Sequence, residues 1–344
     1  MAPLALSLHS LPLHTHHSKP SSSFKIPVVT ACMAPAAPPE VKPTTSSFGF
    51  KNMMEIFTVE VQRAEVRPLN VPLLAPFAIS SSRLDKVENV AIKVELSNGC
   101  VGWGEAPVFP SVTAEDQPSA LAMAAGASEL ARKYRKQGFK ILKLKVGKNL
   151  KADIEVIRAI HAAYPDCMFI LDANGGYSSK EAIQVLEKLH ETGVSPILFE
   201  QPVGRDDWEG LGRVSRFAKE NYGVPVAADE SCRSLADVRK IAEENLADVV
   251  NIKLAKVGVV GALEIIELAR TSGLKLMISS MVESRLATGF AAHLAAGLGC
   301  FKFINLYSPL LLAEDPVVGC CEVDWPVYKF SNARGHGSFL HIAW

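Results

Sequence analysis

The chain has 344 residues, of which 48% are hydrophobic and 21% charged, so it is long enough to bury one large core or two smaller ones. Lysine plus arginine and aspartate plus glutamate both number 36, which leaves no net charge to attract nucleic acid or an anionic membrane. No apolar run reaches the roughly 18 residues of a membrane-spanning helix. The seven cysteines form no CxxC pair and predict a reducing compartment. We expect a globular protein that binds neither nucleic acid nor membrane.

The first 45 residues differ in composition from the rest of the chain. No acidic residue occurs from Met1 to Pro39, whereas serines are frequent and lysines are scattered. This composition is typical of an organelle transit peptide, and Val29 to Cys32 resembles a plastid processing site. A plain disordered tail is the alternative. We therefore predict a transit peptide and disordered linker over residues 1–45, which would place the protein in the chloroplast stroma and otherwise in the cytoplasm.

Residues 56–105 have the pattern of an antiparallel sheet. Apolar and polar residues alternate in Ile56 to Val61 and again in Val90 to Leu96. The dipeptide Asn98-Gly99 then gives a strong hairpin signal before Val101 to Glu105, because both residues tolerate positive φ. The pattern predicts a small sheet module that is distinct from the region after it.

The region 139–310 repeats one unit, an apolar strand followed by an amphipathic helix. Seven strands are predicted, over Phe139 to Val146, Phe169 to Asp172, Ile197 to Glu200, Val224 to Asp229, Asp248 to Lys253, Leu274 to Ser279 and Phe301 to Leu306. The clearest helices are Ser178 to His190, Leu235 to Glu244 and Gly261 to Arg270. Continuous apolar strands that alternate with helices predict an α/β barrel whose parallel sheet is covered on its outside.

Polar residues end five of these strands at a regular spacing. They are Lys145, Asp172, Glu200, Asp229 and Lys253, which are 27, 28, 29 and 24 residues apart. The carboxyl ends of parallel barrel strands meet on one face, so we expect these side chains to converge. Three carboxylates without histidine or cysteine suit Mg²⁺, which predicts a metal site at Asp172, Glu200 and Asp229. The alternative is that each acid only caps the helix that follows it.

Lysines flank this predicted metal site. Lys143 and Lys145 alternate with leucines, so both point to the same side of their strand. An inward lysine is costly to desolvate unless it is paired or its pKa is lowered. Lys253 ends a strand almost opposite, and two lysines that face each other across a metal could add and remove a proton on opposite faces of one carbon. The alternative for a lone lysine is a snorkelling surface residue.

Six ordered motifs carry a resemblance to a known family. They are Leu142 to Val146, Leu171 to Asn174, Phe199 to Pro202, Ala228 to Ser231, Asn251 to Leu254 and Met281 to Glu283. Together they resemble the enolase superfamily, muconate-lactonizing-enzyme subgroup, and within it the dipeptide epimerases of the plant L-Ala-D/L-amino acid epimerase type. The resemblance covers residues 54–344. It implies a modified TIM-like barrel over 127–312 and a small α+β capping domain over 54–126, joined by 313–344.

The resemblance also implies a reaction, an epimerisation by 1,1-proton transfer through an enolate. It gives Mg²⁺ the ligands Asp172, Glu200 and Asp229, and it makes Lys145 and Lys253 the acid/base pair. Lys143 would hold the substrate carboxylate and lower the pKa of Lys145. The other substrate-binding residues that it implies are Ser280, Glu283, Asn305 and Tyr307. The substrate would be a dipeptide or another small carboxylate, and the chain could form homo-oligomers.

Two features depart from the family pattern. Dipeptide epimerases end the eighth barrel strand with an Asp-x-Asp pair that binds the substrate ammonium, whereas this chain has Asn305-Leu306-Tyr307 there. Between Asp116 and Ser128 the family carries further capping helices and the first barrel strand, which we expect to be missing here. Three interpretations stay open: an active epimerase, a cycloisomerase or dehydratase on the same scaffold, or a catalytically defective splice form or paralogue.

Overall fold

The computed structural model describes residues 6–8, 61–79, 82–106, 136, 139–324, 327–330, 333 and 335–340. Strand β1 (Leu6–Leu8) is followed by an antiparallel sheet of β2 (Val61–Ile79), β3 (Ser82–Leu96) and β4 (Val101–Ala106). In the turn between β3 and β4, the N–H of Gly99 donates to the carbonyl of Leu96 at 2.9 Å, and Gly99 has φ +79°. This confirms the predicted hairpin. The predicted strand at Ile56 to Val61 lies outside the described residues except for Val61.

The region 139–305 consists of seven strands that alternate with six helices, as the sequence predicted. The strands are β5 (Ile141–Lys145), β6 (Met168–Asp172), β7 (Leu198–Glu200), β8 (Val226–Ala228), β9 (Val249–Ile252), β10 (Lys275–Ser279) and β11 (Phe301–Asn305). The helices are α1 (Leu150–Ala163), α2 (Ser179–His190), α3 (Trp208–Tyr222), α4 (Leu235–Glu244), α5 (Leu254–Thr271) and α6 (Arg285–Leu298). All neighbouring strands pair in parallel, so their carboxyl ends lie at one edge.

The helices begin and end where local residues satisfy their backbone groups. Ser178 accepts from the N–H of Glu181, whose carboxylate accepts from the N–H of Ser178, so a capping box starts α2. Asn245 ends α4 in the left-handed region, and this helix has the bounds that were predicted. Helix α5 starts at Leu254, earlier than predicted, and Gly258 at φ +68° interrupts it. The apolar pattern begins only after this glycine.

An additional strand lies beside β5 at the edge of the sheet. It is β1, which pairs in parallel with β5 and brings Leu6 level with Leu142 and Leu8 level with Leu144. The edge of β5 offers these three residues unpaired N–H and C=O groups, which explains the pairing. The transit peptide stays a prediction. Among the described strands no ladder joins β1 to β11, so the sheet curls without closing.

The curled sheet has two apolar faces. One face packs against the helices through alternate residues such as Leu142, Leu171 and Ile252. The other face lies inside the curl and forms a separate buried cluster, which we call the apolar floor. Its members are Ile141, Ile170, Leu198, Ala227, Val249, Met277 and Phe303, one from each strand. The two-residue repeat of a strand therefore decides which side chains point toward the inside of the curl.

The residues after β11 return to the antiparallel sheet. A 3₁₀ turn (Ser308–Leu311) precedes β12 (Val317–Gly319), β13 (Cys321–Asp324), β14 (Val327–Phe330) and β15 (Ser338–Leu340). Leu312 bridges to Leu73 of β2, and the N–H of Ala313 donates to the carbonyl of Pro72 at 2.9 Å. Leu312 belongs to a third buried cluster, which also includes Leu69, Val71 and Tyr307. These contacts suit the predicted joining of 313–344 to the capping sheet. None of the described helices is long and apolar enough to cross a membrane.

Candidate active site

A ring of buried polar side chains lies directly above the apolar floor. Each member stands two residues after a floor residue, so it points to the same inner side of its strand. We call this set the polar ring, and its members are Lys143, Asp172, Glu200, Asp229, Asn251, Ser279 and Asn305. Each of these residues is at most 2% exposed. The predicted convergence of Asp172, Glu200 and Asp229 is therefore found, and the register places Asp172 directly opposite Glu200.

Lys143 lies between two carboxylates of the polar ring. Its Nζ is 2.9 Å from Asp172 Oδ2, donates to Glu200 Oε1 at 3.0 Å and lies 2.8 Å from Glu200 Oε2. Lys145 approaches the same Asp172 oxygen at 2.5 Å and donates to Asn174 Oδ1 at 3.0 Å. The two lysines of β5 thus share one side of the site, as their alternation predicted.

Asp229 is paired with two lysines that follow β9, the strand next to its own. Lys253 donates to Asp229 Oδ2 at 2.5 Å, and Lys256 donates to Asp229 Oδ1 at 2.7 Å. Lys256 was missed by the sequence reasoning because it lies inside α5 and not at a strand end. Its position three residues after Lys253, close to the first turn of the helix, is the signal that could have found it.

The two predicted catalytic lysines have opposite electrostatic settings. Burial lowers the pKa of Lys145 below its ordinary value, and the adjacent positive charge of Lys143 adds to this while Asp172 opposes it. Burial also disfavours the charged form of Lys253, but the carboxylates of Asp229 and Glu230 outweigh it and raise the pKa. The lowered pKa favours proton uptake by a neutral Lys145, and the raised pKa keeps Lys253 protonated.

The carboxylates also differ in their tendency to hold a proton. Burial and the negative charge of Asp172 raise the pKa of Glu200 to about 7. Burial disfavours charge on Asp172 and Asp229 as well, but the lysines next to them outweigh it and hold the pKa of both well below the ordinary range. The site without a metal is therefore balanced by ion pairs between carboxylates and lysines.

Backbone conformation at the strand ends helps to place these acids. Gln201 and Asn174 have positive φ, at 37° and 45°, which is rare for residues other than glycine. The side-chain oxygen of Gln201 accepts the N–H of Asp229 at 2.9 Å and that of Ser231 at 3.1 Å. Asn174 donates to Glu230 Oε1 at 3.0 Å. The Gln201 amide thus joins the ends of β7 and β8, and the Asn174 amide joins the ends of β6 and β8.

The donor set suits a hard divalent cation, because it consists of carboxylate oxygens at adjacent strand ends. Buried oxygens nearby, Glu230 Oε2 and Asn251 Oδ1, have no hydrogen-bond partner among the described residues. No three of the described acidic, histidine or cysteine side chains form a preformed metal cluster. The ion pairs give the reason, since lysines hold oxygens of Asp172, Glu200 and Asp229.

The predicted substrate-binding residues lie around this centre. Ser280 is 7% exposed, and its hydroxyl has no hydrogen-bond partner among the described residues. Glu283 accepts from the N–H of Met281 at 2.9 Å, and burial raises its pKa to about 7. Asn305 belongs to the polar ring. Tyr307 is 5% exposed and belongs to the apolar cluster with β2.

A carboxylate from the antiparallel sheet contacts the loop after β10, which also carries Ser280 and Glu283. Glu105, at the end of β4, accepts from Asn89 Nδ2 at 2.7 Å and from both the N–H and the hydroxyl of Ser284. Asn89 also donates to the carbonyl of Val282 at 3.0 Å. The sequence reasoning missed Glu105, because Ser284 lies 179 residues further along the chain. These bonds fasten the antiparallel sheet to the loop after β10.

The fold and the strand-end site together define a member of one family, and the comparisons show which. Residues 126–340 match the Enolase C-terminal domain-like family, so the chain belongs to that family. An L-Ala-D/L-amino acid epimerase of Populus trichocarpa is 54% identical, over 98% of this chain and 97% of that protein. An aromatic dipeptide epimerase of Herpetosiphon aurantiacus is 32% identical, over 80% of this chain and 98% of that protein.

A solved structure supports the same assignment. A mandelate racemase/muconate lactonizing protein from Herpetosiphon aurantiacus superposes with a TM-score of 0.75 at 32% identity. The match covers 82% of this chain and 98% of that one. The chain is therefore an enolase-superfamily protein with the α/β fold that the motifs predicted.

The alignment with the poplar relative also supports the missing segment. It extends over 413 positions, although this chain has 344 residues, so at least 69 positions of the relative have no counterpart here. Since nearly all of both chains is covered, this gap is internal. The identity of the absent positions as capping helices and the first barrel strand stays a prediction. Their position between Asp116 and Ser128 stays a prediction, because these residues lie outside the described part of the chain.

Proposed function

We propose that this protein is a Mg²⁺-dependent dipeptide epimerase that inverts an α-carbon by proton transfer between two lysines. The observation that carries the proposal is the placement of Lys145 and Lys253 on opposite flanks of the polar ring. Each is paired with a different carboxylate, Asp172 or Asp229. The names of the poplar and Herpetosiphon relatives support an isomerase that acts on dipeptides.

The metal would be held by Asp172, Glu200 and Asp229. When bound there, Mg²⁺ supplies positive charge that stabilises the enolate formed from a substrate carboxylate. The lysines carry out the proton transfer. Lys145, with its lowered pKa, accepts the α-proton from one face, and Lys253, which is held protonated, donates a proton to the opposite face. For the other stereoisomer the two lysines exchange these roles.

Lys143 supplies a fixed positive charge to this reaction. Burial disfavours its charged form, but Asp172 and Glu200 outweigh that effect and raise its pKa, so it stays protonated. It therefore adds a cation for the substrate carboxylate and, as a like charge, helps to lower the pKa of Lys145. The unpartnered hydroxyl of Ser280 and the carboxyl of Glu283 supply further polar groups for the substrate.

The residues Asn305 and Tyr307 set the substrate range in this proposal. A dipeptide carries an ammonium group, and neither an amide nor a phenol in an apolar cluster offers it a negative charge. We infer weak binding of the free amino terminus. This favours, as a second candidate, a cycloisomerase or dehydratase reaction of the same superfamily on a carboxylate without an ammonium group.

The internal gap affects whether this chain is catalytically active. The absent positions would include capping helices that shield the reacting carbon from water, so a catalytically defective splice form or paralogue is the alternative that the gap supports.

The proposed location is the chloroplast stroma, on the strength of the acid-poor, serine-rich first 45 residues. A fluorescent fusion of residues 1–45 tests that location, and a cytosolic signal would contradict it.

Isotope exchange in deuterated water tests the reaction. L-Ala-L-Glu and L-Ala-D-Glu are incubated with the wild type, Lys145→Ala and Lys253→Ala, and the loss of the α-proton is followed by NMR. We expect each variant to abolish exchange from one isomer and to retain some exchange from the other. Equal, undiminished exchange from both isomers in both variants would rule out the two-lysine assignment. Absence of exchange in the wild type would support the defective-chain alternative.

A further inference from the structure

Lys256 is a fourth lysine of the site, and the proposed reaction gives it no role. Its Nζ lies 2.7 Å from Asp229 Oδ1, donates to the backbone carbonyl of Asp229 and lies 3.5 Å from the carbonyl of Asn251. Two of these three oxygens belong to the main chain at the ends of β8 and β9. The ammonium group is therefore fixed by the strand ends and does not depend on the Asp229 carboxylate alone.

Lys256 is one of four lysines that lie among the acids of the site. The acids are Asp172, Glu200, Asp229, Glu230 and Glu283, and the lysines are Lys143, Lys145, Lys253 and Lys256. Lys253 occupies Oδ2 of Asp229 while Lys256 occupies Oδ1, so both oxygens of this carboxylate already face ammonium groups. A divalent cation that binds to Asp229 has to share an oxygen with one of them.

We propose that Lys256 is a built-in counter-ion, which holds Asp229 in place and weakens the binding of Mg²⁺. This inference rests on the proposed metal site. A fixed positive charge beside a ligand repels a divalent cation strongly where water is scarce, and the side chain of Lys256 is only 18% exposed. The same charge compensates Asp229, which is fully buried and would otherwise be costly to ionise. Lys256 thus stabilises the fold at the expense of metal affinity.

Calorimetric titration with Mg²⁺ tests this proposal without relying on activity. The proteins are the full chain, Lys256→Met, Lys256→Arg and the control Lys219→Met, whose lysine pairs with Asp248 at 2.5 Å outside the site. We expect Lys256→Met to bind Mg²⁺ at least tenfold more tightly than the wild type. Lys256→Arg keeps the charge and should bind as the wild type does, as should the control. Without Mg²⁺, Lys256→Met should melt at a lower temperature.

The outcomes distinguish this inference from the proposed function. If a folded Lys256→Met protein binds Mg²⁺ no more tightly than the wild type, the counter-ion role is overturned. The metal site itself still stands in that case, provided that the wild-type protein binds Mg²⁺. If no protein in the set binds Mg²⁺, the metal site and the counter-ion role both fall. Should Lys256→Met fail to fold, Lys256→Gln retains hydrogen-bond donors without the charge and is expected to show the same gain in affinity.

Discussion

The side-chain oxygen of Gln201 accepts the backbone N–H of Asp229 at 2.9 Å, so the residue that follows one strand holds the acid that follows the next. The same oxygen accepts from Ser231, and the amide nitrogen donates to the carbonyl of Val203 and the hydroxyl of Ser231, both at 2.9 Å. Gln201 is completely buried. One buried amide with four bonds therefore ties the backbone of Asp229 and Ser231 to the segment after β7.

Replacing Gln201 should damage the site through these bonds. Gln201→Ala leaves two buried N–H groups and a carbonyl without partners, at about 1 to 3 kcal/mol each, so we expect a loss of several kcal/mol in unfolding free energy. Urea denaturation measures the loss. Ser231→Ala removes one of the four bonds and also the 2.7 Å bond from its hydroxyl to the carbonyl of Arg205, so it should cost about 2 kcal/mol. Similar losses for the two variants would show that Gln201 does not organise the strand ends.

Magnesium should stabilise the folded protein. A ligand that binds only the folded state raises the melting temperature, by an amount that grows with the logarithm of its concentration above Kd. We expect a rise at millimolar Mg²⁺ in the wild type and a much smaller one in the Asp172→Asn, Asp229→Asn double variant. Differential scanning fluorimetry measures both. An unchanged wild-type melting temperature would speak against the metal site.

Glu283 should make stability depend on pH. Its pKa is raised from 4.5 to about 7 in the fold, so between these values the folded protein keeps a proton that the unfolded chain has lost. Stability therefore falls as pH rises through this window. Glu283→Gln should remove part of the fall and leave the parts due to Glu200 and Glu105, whose pKa values burial also raises. Superimposable profiles of melting temperature against pH for variant and wild type would refute this assignment.

Acidic residues at 305 and 307 should improve the use of dipeptides. Each charge-assisted bond to the substrate ammonium is worth roughly 1.5 to 3 kcal/mol, so Asn305→Asp with Tyr307→Asp should raise kcat/KM for L-Ala-L-Glu by at least tenfold. Because Tyr307 packs in an apolar cluster, the single variant Asn305→Asp serves as a control with less disturbance of the fold. No gain in an otherwise complete protein would mean that these positions do not contact the ammonium.

Restoring the absent segment should restore turnover. When the unmatched positions of the poplar relative are inserted after Asp116, we expect higher soluble yield and higher epimerase activity than for the chain as it stands. A flexible Gly/Ser insert of equal length is the control and should restore neither. Ordinary turnover and solubility of the present chain would show that the barrel tolerates the loss.

The sequence was most informative where chemistry and periodicity coincide. The strands from β5 to β11 lie within mostly apolar runs of four to eight residues, so their existence and the polar strand ends at Asp172, Glu200 and Asp229 were predictable. Helix α4 was predicted with its bounds, because Ser234 and Asn245 are strong capping residues. Here local sequence alone determines the element.

The remaining features depend on contacts between distant parts of the chain. Strand β1 owes its pairing to β5, more than 130 residues away, and its three residues carry no local signal of their own. Glu105 meets Ser284 only because the antiparallel sheet folds over the loop after β10. Lys256 lies in a helix whose regular pattern begins later, after Gly258. Sequence patterns do not predict such contacts, because each pattern is confined to one segment of the chain.

The apolar floor has a consequence for the path of protons. Its side chains, from Ile141 to Phe303, carry no hydrogen-bonding group, so in the described part of the chain it offers no relay beneath the lysines. A proton taken up by Lys145 or Lys253 therefore leaves on the side of the strand ends, where both lysines lie, and not through the floor. If bound substrate covers the strand ends, we expect an isotope label to stay on the lysine that abstracted it. Wash-out of label into solvent should then follow the dissociation rate of the product.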